Sequence, residues 1–179
     1  REATIGQQVT LTLLLYSRVT VGTIDISREP GTDKFWVKDL LPPSGKIEWQ
    51  NKVVQGTVFD VGVLRKIALF PTEAGTITIT PATVKTAVPF GGLFGGGNYT
   101  RSAVPVEVVV TPLPAAGKPG GFDPSAVGSY SLDGDLEPRE TKVNQPVTFT
   151  VTLQGRGNIE MVRAPEIVLP EGVKTYDPL

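Results

Sequence analysis

Three carboxylates stand at alternate positions in the stretch SLDGDLEP: Asp133, Asp135 and Glu137. Clustered oxygen ligands suit Ca2+, a hard cation, and an ion held between tandem domains would stiffen their junction. The spacing departs from an EF-hand loop, which closes with a further Glu. Surface acids are ordinarily solvated. The expectation is therefore an exposed strand face, with these three residues as the metal candidate and no cofactor.

Other chemistry meets stronger obstacles. The chain has no Cys and no His. That removes disulfides, thiol nucleophiles and thiolate metal sites, along with the commonest general base. Seven Ser are present, but without His no Ser-His-Asp arrangement can be assembled. None of them is followed three positions later by Lys, the local signature of a Ser-Lys pair. The 18 acids offer many carboxylate pairs of the glycosidase kind, and nothing in the sequence selects one.

The segment FGGLFGGGN at 90–98 is Gly-rich, yet no Gly-Lys-Ser/Thr follows it, and a phosphate cradle needs a helix to open after the loop. Its apolar members have another use. Phe90, Leu93 and Phe94, carried on a loop between strands, are candidate contacts for a protein partner. The alternative is a loop that engages nothing or folds back to cap the end of the fold. Asn98-Tyr99-Thr100 reads as a chance match to a glycosylation sequon.

The elements that must position these residues are strands. Val9, Leu11, Leu13 and Leu15 alternate with Thr10, Thr12 and Leu14; Val147, Phe149, Val151 and Leu153 alternate with Thr148, Thr150 and Thr152; Val104, Val106, Val108 and Val110 behave alike. A period of two places one apolar face on each segment, and β-branched residues suit a pleated surface. No window has helical spacing, and 20 Gly with 16 Pro punctuate the chain. Strands are expected over 5–17, 34–41, 46–54, 57–70, 76–86 and 103–111, with REAT at the start as the remnant of an edge strand. That density predicts an all-β fold: an immunoglobulin-like β-sandwich over 1–111, with Trp36 buried and without the disulfide of antibody domains.

Residues 112–124, PLPAAGKPGGFDP, hold four Pro and three Gly and read as a linker. Strand grammar then resumes. GQQVTLTLLLY at 6–16 is matched 138 positions later by NQPVTFTVTLQ at 144–154, so the two stretches read as second strands of successive copies of one sandwich. The second copy, 125–179, is incomplete. A few strands without a facing sheet bury too little apolar surface to offset their ordering, so this part is expected to depend on packing against the first domain, the linker or another chain.

The net charge is −1, which gives no electrostatic footprint for nucleic acid or an anionic membrane. No apolar run reaches the roughly 18 residues of a bilayer span. The start, REATIGQQV, lacks a signal-peptide pattern. The chain is expected to be an interior piece of a longer protein.

Several stretches carry a family resemblance: FWVKDL at 35–40, ALFPTEAGTITITPAT at 68–83, PLPAAGKPGGF at 112–122, AVGSYSL at 126–132, VNQPVTFTVTLQGRGNI at 143–159 and PEGVKTYDP at 170–178, besides the first strand. In these the chain resembles the bacterial oxygen-tolerance (BatD-like, aerotolerance) family. The resemblance implies an envelope protein of several immunoglobulin-like domains on the periplasmic side, anchored to the membrane in its full-length form. Its implied partners are von Willebrand A-type envelope proteins. It implies no catalytic residues. The expected function is a non-catalytic scaffold or protein-interaction module, working through strand edges and end loops. The alternatives are a surface adhesin or carbohydrate-binding sandwich, which clustered exposed aromatics would favour, and an accessory domain of an enzyme.

Overall fold

A computed structural model describes residues 1–41, 46–89, 96–118 and 120–176. Among them the chain is all-β. In order, the strands are β1 (Glu2–Thr4), β2 (Val9–Ser17), β3 (Thr23–Arg28), β4 (Phe35–Asp39), β5 (Trp49–Val54), β6 (Thr57–Pro71), β7 (Gly75–Ile79), β8 (Thr83–Val88), β9 (Gly97–Ser102), β10 (Val106–Thr111), β11 (Gly128–Glu137) and β12 (Thr148–Gly157). One short 3-10 turn, Ile159–Met161, follows.

One layer is organised by β6. β2 runs antiparallel along one side of it, while β4 and β5 share the other side, pairing Phe35 with Pro71 and Trp49 with Gly62. The register with β2 shifts between Leu13 and Leu14, leaving Leu64 unopposed, an extra residue that bends the strand. β5 and β6 are joined through Gln55-Gly56, both at positive φ (49° and 76°), as a two-residue type I′ hairpin requires. Arg65, just past the bulge, ties the layers together: its guanidinium lies 3.2 Å from Asp39 at the end of β4 and 3.7 Å from Glu29 beyond β3.

The facing layer is a long ribbon. β7 pairs with β10 and β8 with β9 in one continuous register, from Ile79↔Val106 to Thr83↔Ser102. The ladder is interrupted where Pro81 and Pro105, which lack an N–H, enter it, and an Ala103 N–H to Ala82 carbonyl bond (2.9 Å) spans the gap. β3 adds to β8, and β1 adds to β10 in parallel.

The layers meet in a core of Ala3, Phe35, Ile67, Leu69, Ile77, Ile79, Val108 and Val110, with Ile5, Val9, Leu11 and Val106 packed against it. Leu69 and Val108 are fully buried, at 0% exposure. The period-two stripes of β2, β6, β7 and β10 thus become the two inner faces of an all-β sandwich.

The structure departs from expectation in particular places. β3 and β9 were not anticipated. The strand expected over 76–86 is two strands parted at Pro81. The strand expected from residue 5 begins at Val9, because Gly6 turns the chain at φ 75°. Trp36 is half-buried, packed at a tilt against Phe70 with ring centroids 5.4 Å apart and the ring planes 59° to each other. The two stretches matched in sequence are both strands, but their partners differ: β2 pairs with β6, whereas β12 pairs with β11. β1, only three residues long, joins the opposite layer, whereas β11 spans ten.

Candidate interaction surface

β11 and β12 form a two-stranded antiparallel sheet in register from Gly128↔Gly157 to Glu137↔Thr148. Paired residues share a face, so alternation gives the sheet two unlike sides. One side carries Tyr130, Leu132 and Leu136 from β11 with Leu153, Val151 and Phe149 from β12. Much of it faces outward: Leu132 is 55%, Phe149 48% and Leu136 39% exposed.

Glycines interrupt this apolar side, and aromatic rings fill the gaps. A Cβ on Gly134 would lie 3.2 Å from the Phe149 ring, and one on Gly128 would lie 2.8 Å from the Tyr130 ring, which also covers Gly155 and Gly157. Tyr130 is thereby laid flat on the hairpin. Its hydroxyl is buried with no hydrogen-bond partner, and burial raises its pKa. An unpaired buried hydroxyl carries a desolvation penalty that a ring without it avoids. Tyr130→Phe is therefore expected to leave the hairpin as stable or more stable by up to about 1 kcal/mol; hydrogen exchange of the β11 amides checks this, and faster exchange would contradict it.

The opposite side is polar. Asp133, Asp135 and Glu137 face Thr152, Thr150 and Thr148 across the ladder. They are exposed, as anticipated for a solvated strand face. Same-face residues on a strand sit about 6.6–7 Å apart, which spreads the carboxylates along the ladder. Asp135 instead approaches Arg139 at 3.7 Å. Among the described residues no group of three or more His, Cys, Asp or Glu side chains could hold a metal ion. An open concavity at this end of the hairpin is lined by Asp135, Leu136, Glu137, Pro138, Arg139 and Thr148.

The other anticipated contact residues, Phe90, Leu93 and Phe94, lie outside the described residues, in the segment between β8 and β9. The sequon Asn98-Tyr99-Thr100 falls within β9. Among the described residues the aromatic rings of the sandwich lie apart from one another, with two aromatic pairs. Tyr16 meets Phe59 edge-on at 6.1 Å, Trp36 packs at a tilt against Phe70, and Trp49 sits over the bare backbone of Gly62.

A polar junction lies next to the hairpin, and the sequence reading passed over it. The Ser125 amide and hydroxyl donate to Asp123 Oδ1 at 2.9 and 2.6 Å, and the same hydroxyl lies 2.7 Å from the Met161 carbonyl. Arg163 approaches Asp123 at 3.9 Å. The signal was the Asp-Pro-Ser sequence itself, which favours an Asp side chain bonding to backbone two residues on. The Asp123 pKa is lowered, chiefly by the Ser125 hydroxyl, then by its amide, with Arg163 adding to them. A depressed carboxylate pKa stabilises the fold above the unfolded value and loses that contribution as pH falls through the folded one. The turn should therefore persist at the ordinary aspartate value of 3.8 and open only below it. The Ser125 amide shift, followed by NMR, should titrate with a midpoint under that of exposed aspartates; a midpoint at or above theirs would contradict this.

Comparison with protein-family models, curated proteins and solved structures found no match to this chain. No helix among the described residues is long and apolar enough to cross a membrane.

Proposed function

We propose that this chain is a non-catalytic scaffold or protein-interaction module of the bacterial envelope, part of a membrane-anchored, periplasm-facing protein built from immunoglobulin-like sandwiches. The observation that carries the reading is the β11–β12 sheet. Among the described residues it has two strands only, so each presents a free edge, and one of its sides is apolar and open. A free edge offers unpaired N–H and C=O groups to an added strand. An open apolar face beside it supplies the burial that makes such an addition favourable. The absence of His and Cys from the sequence removes a Ser-His-Asp arrangement and thiol or thiolate-metal chemistry. The resemblance to the BatD-like family makes a von Willebrand A-type protein the proposed partner.

The test uses the purified chain as bait for a purified von Willebrand A-type protein from the same envelope. The wild-type chain should retain it. The variant Leu132→Ser/Phe149→Ser alters two half-exposed side chains of the hairpin and none of the core, so the sandwich should stay folded while retention is lost. Equal retention by the variant, or turnover of a substrate by the purified chain, would refute the proposal.

A further inference from the structure

We propose that the stretch from Asp123 to Arg163 is docked directly onto the sandwich by a built joint, so that the two parts of the chain turn as one body and the Pro/Gly stretch does not set their spacing. The chain leaves the sandwich at Thr111, whose carbonyl accepts the Ile5 N–H at 3.0 Å. It comes back to the adjoining residue. Gly6 faces Val127 and the Pro124 carbonyl, which would lie 3.0 and 3.7 Å from a Cβ placed there. Departure and return therefore meet at one strand end, and the intervening residues make an excursion rather than a spacer. Gly6 suits this close approach twice over: it has no Cβ, and its φ of 75° is one that side-chain-bearing residues rarely adopt.

A second contact stands away from the first. Lys38 on β4 pairs with Glu160 in the 3-10 turn after β12. One contact point would leave a swivel; a second, separated point leaves only rotation about the line that joins the two. The Ser125 hydroxyl completes the joint: it lies 2.7 Å from the Met161 carbonyl, which sets the returning chain against the same turn that carries Glu160. The exposed ion pair alone is weak, and the packing of Val127 against Gly6 supplies the contact that salt does not screen.

Backbone 15N relaxation of the whole 179-residue chain tests this. Amides of β6 and β12 should share one rotational correlation time. A ten-residue Gly/Ser insertion (about the length of the excursion) after Ala115 should leave that shared value in place, because contacts rather than chain length hold the parts together. The variant Val127→Asp/Glu160→Lys should break it, with β12 amides reporting a shorter time than β6 amides while β6 stays protected from exchange. Separate times in the wild type or in the insertion variant, or a shared time kept by Val127→Asp/Glu160→Lys, would overturn the proposal.

Discussion

Replacing Leu69 with Ala should lower the unfolding free energy of the sandwich by about 3–4 kcal/mol. Leu69 sits on the central strand β6, pairs with Val9 on one side and Val37 on the other, and is fully buried. Its side chain contributes to the cluster formed with Ile77, Ile79, Val108 and Val110 of the facing layer. Truncation loses the transfer free energy of the removed atoms and leaves a cavity, because two hydrogen-bonded neighbours hold the backbone in place and the walls cannot close. Denaturant unfolding, followed through the two Trp, both on strands of this layer, measures the loss. Val53→Ala provides the contrast: Val53 lies at the rim in β5 and is largely exposed, so its truncation should change stability by less than about 0.5 kcal/mol. A Leu69 effect no larger than that of Val53 would mean that β6 is not at the centre of the fold.

The second large effect belongs to the hairpin. Gly155→Ala should disorder β11–β12 and cost it about 2 kcal/mol or more. A Cβ at 155 would run into the Ser129 carbonyl and lie 2.9 Å from the Tyr130 Cα. These are backbone atoms of the partner strand, which cannot rotate away as a side chain does. Gly134→Ala, in the same sheet, meets only the edge of the Phe149 ring at 3.2 Å, and a small ring shift accommodates it. Hydrogen exchange should show β11 and β12 losing protection in Gly155→Ala and keeping most of it in Gly134→Ala, with β6 unaffected in both. Loss of protection in β6 as well would show that the two parts unfold together.

The sequence disclosed those parts of the fold that depend on alternation. Val9–Leu15, Val106–Val110 and Phe149–Leu153 each bury or present one apolar face, and a period of two identifies such strands without reference to the rest of the chain. β9, GNYTRS, has no apolar alternation at all; it is a strand because β8 lies beside it in a register set by the ribbon, and pairing of that kind is not written locally. β3 did carry a signal, Ile24 and Ile26 between polar residues, in a run short enough to read as loop. The break at Pro81 was visible in principle, since a residue without an N–H interrupts a ladder.

The candidate surface was legible in one direction only. The alternation of Asp133, Asp135 and Glu137 implies a common face, and the ladder sets them opposite Thr152, Thr150 and Thr148. What alternation could not supply was the partner strand, which sets the apolar side of β11 beside Val151, Leu153 and Phe149. Nor could it show that Gly128, Gly155 and Gly157 form the seat of a single Tyr ring, because that depends on a register fixed between strands ten or more residues apart in the chain.

Binding through the open side of β11–β12 is the central claim, and hydrogen exchange on the bound complex tests it most directly. With a purified von Willebrand A-type partner added, slowed exchange should fall on residues 130–136 and 149–153 and leave β5 and β9 unchanged. Slowed exchange confined to the sandwich, with the hairpin exchanging as it does alone, would contradict the claim.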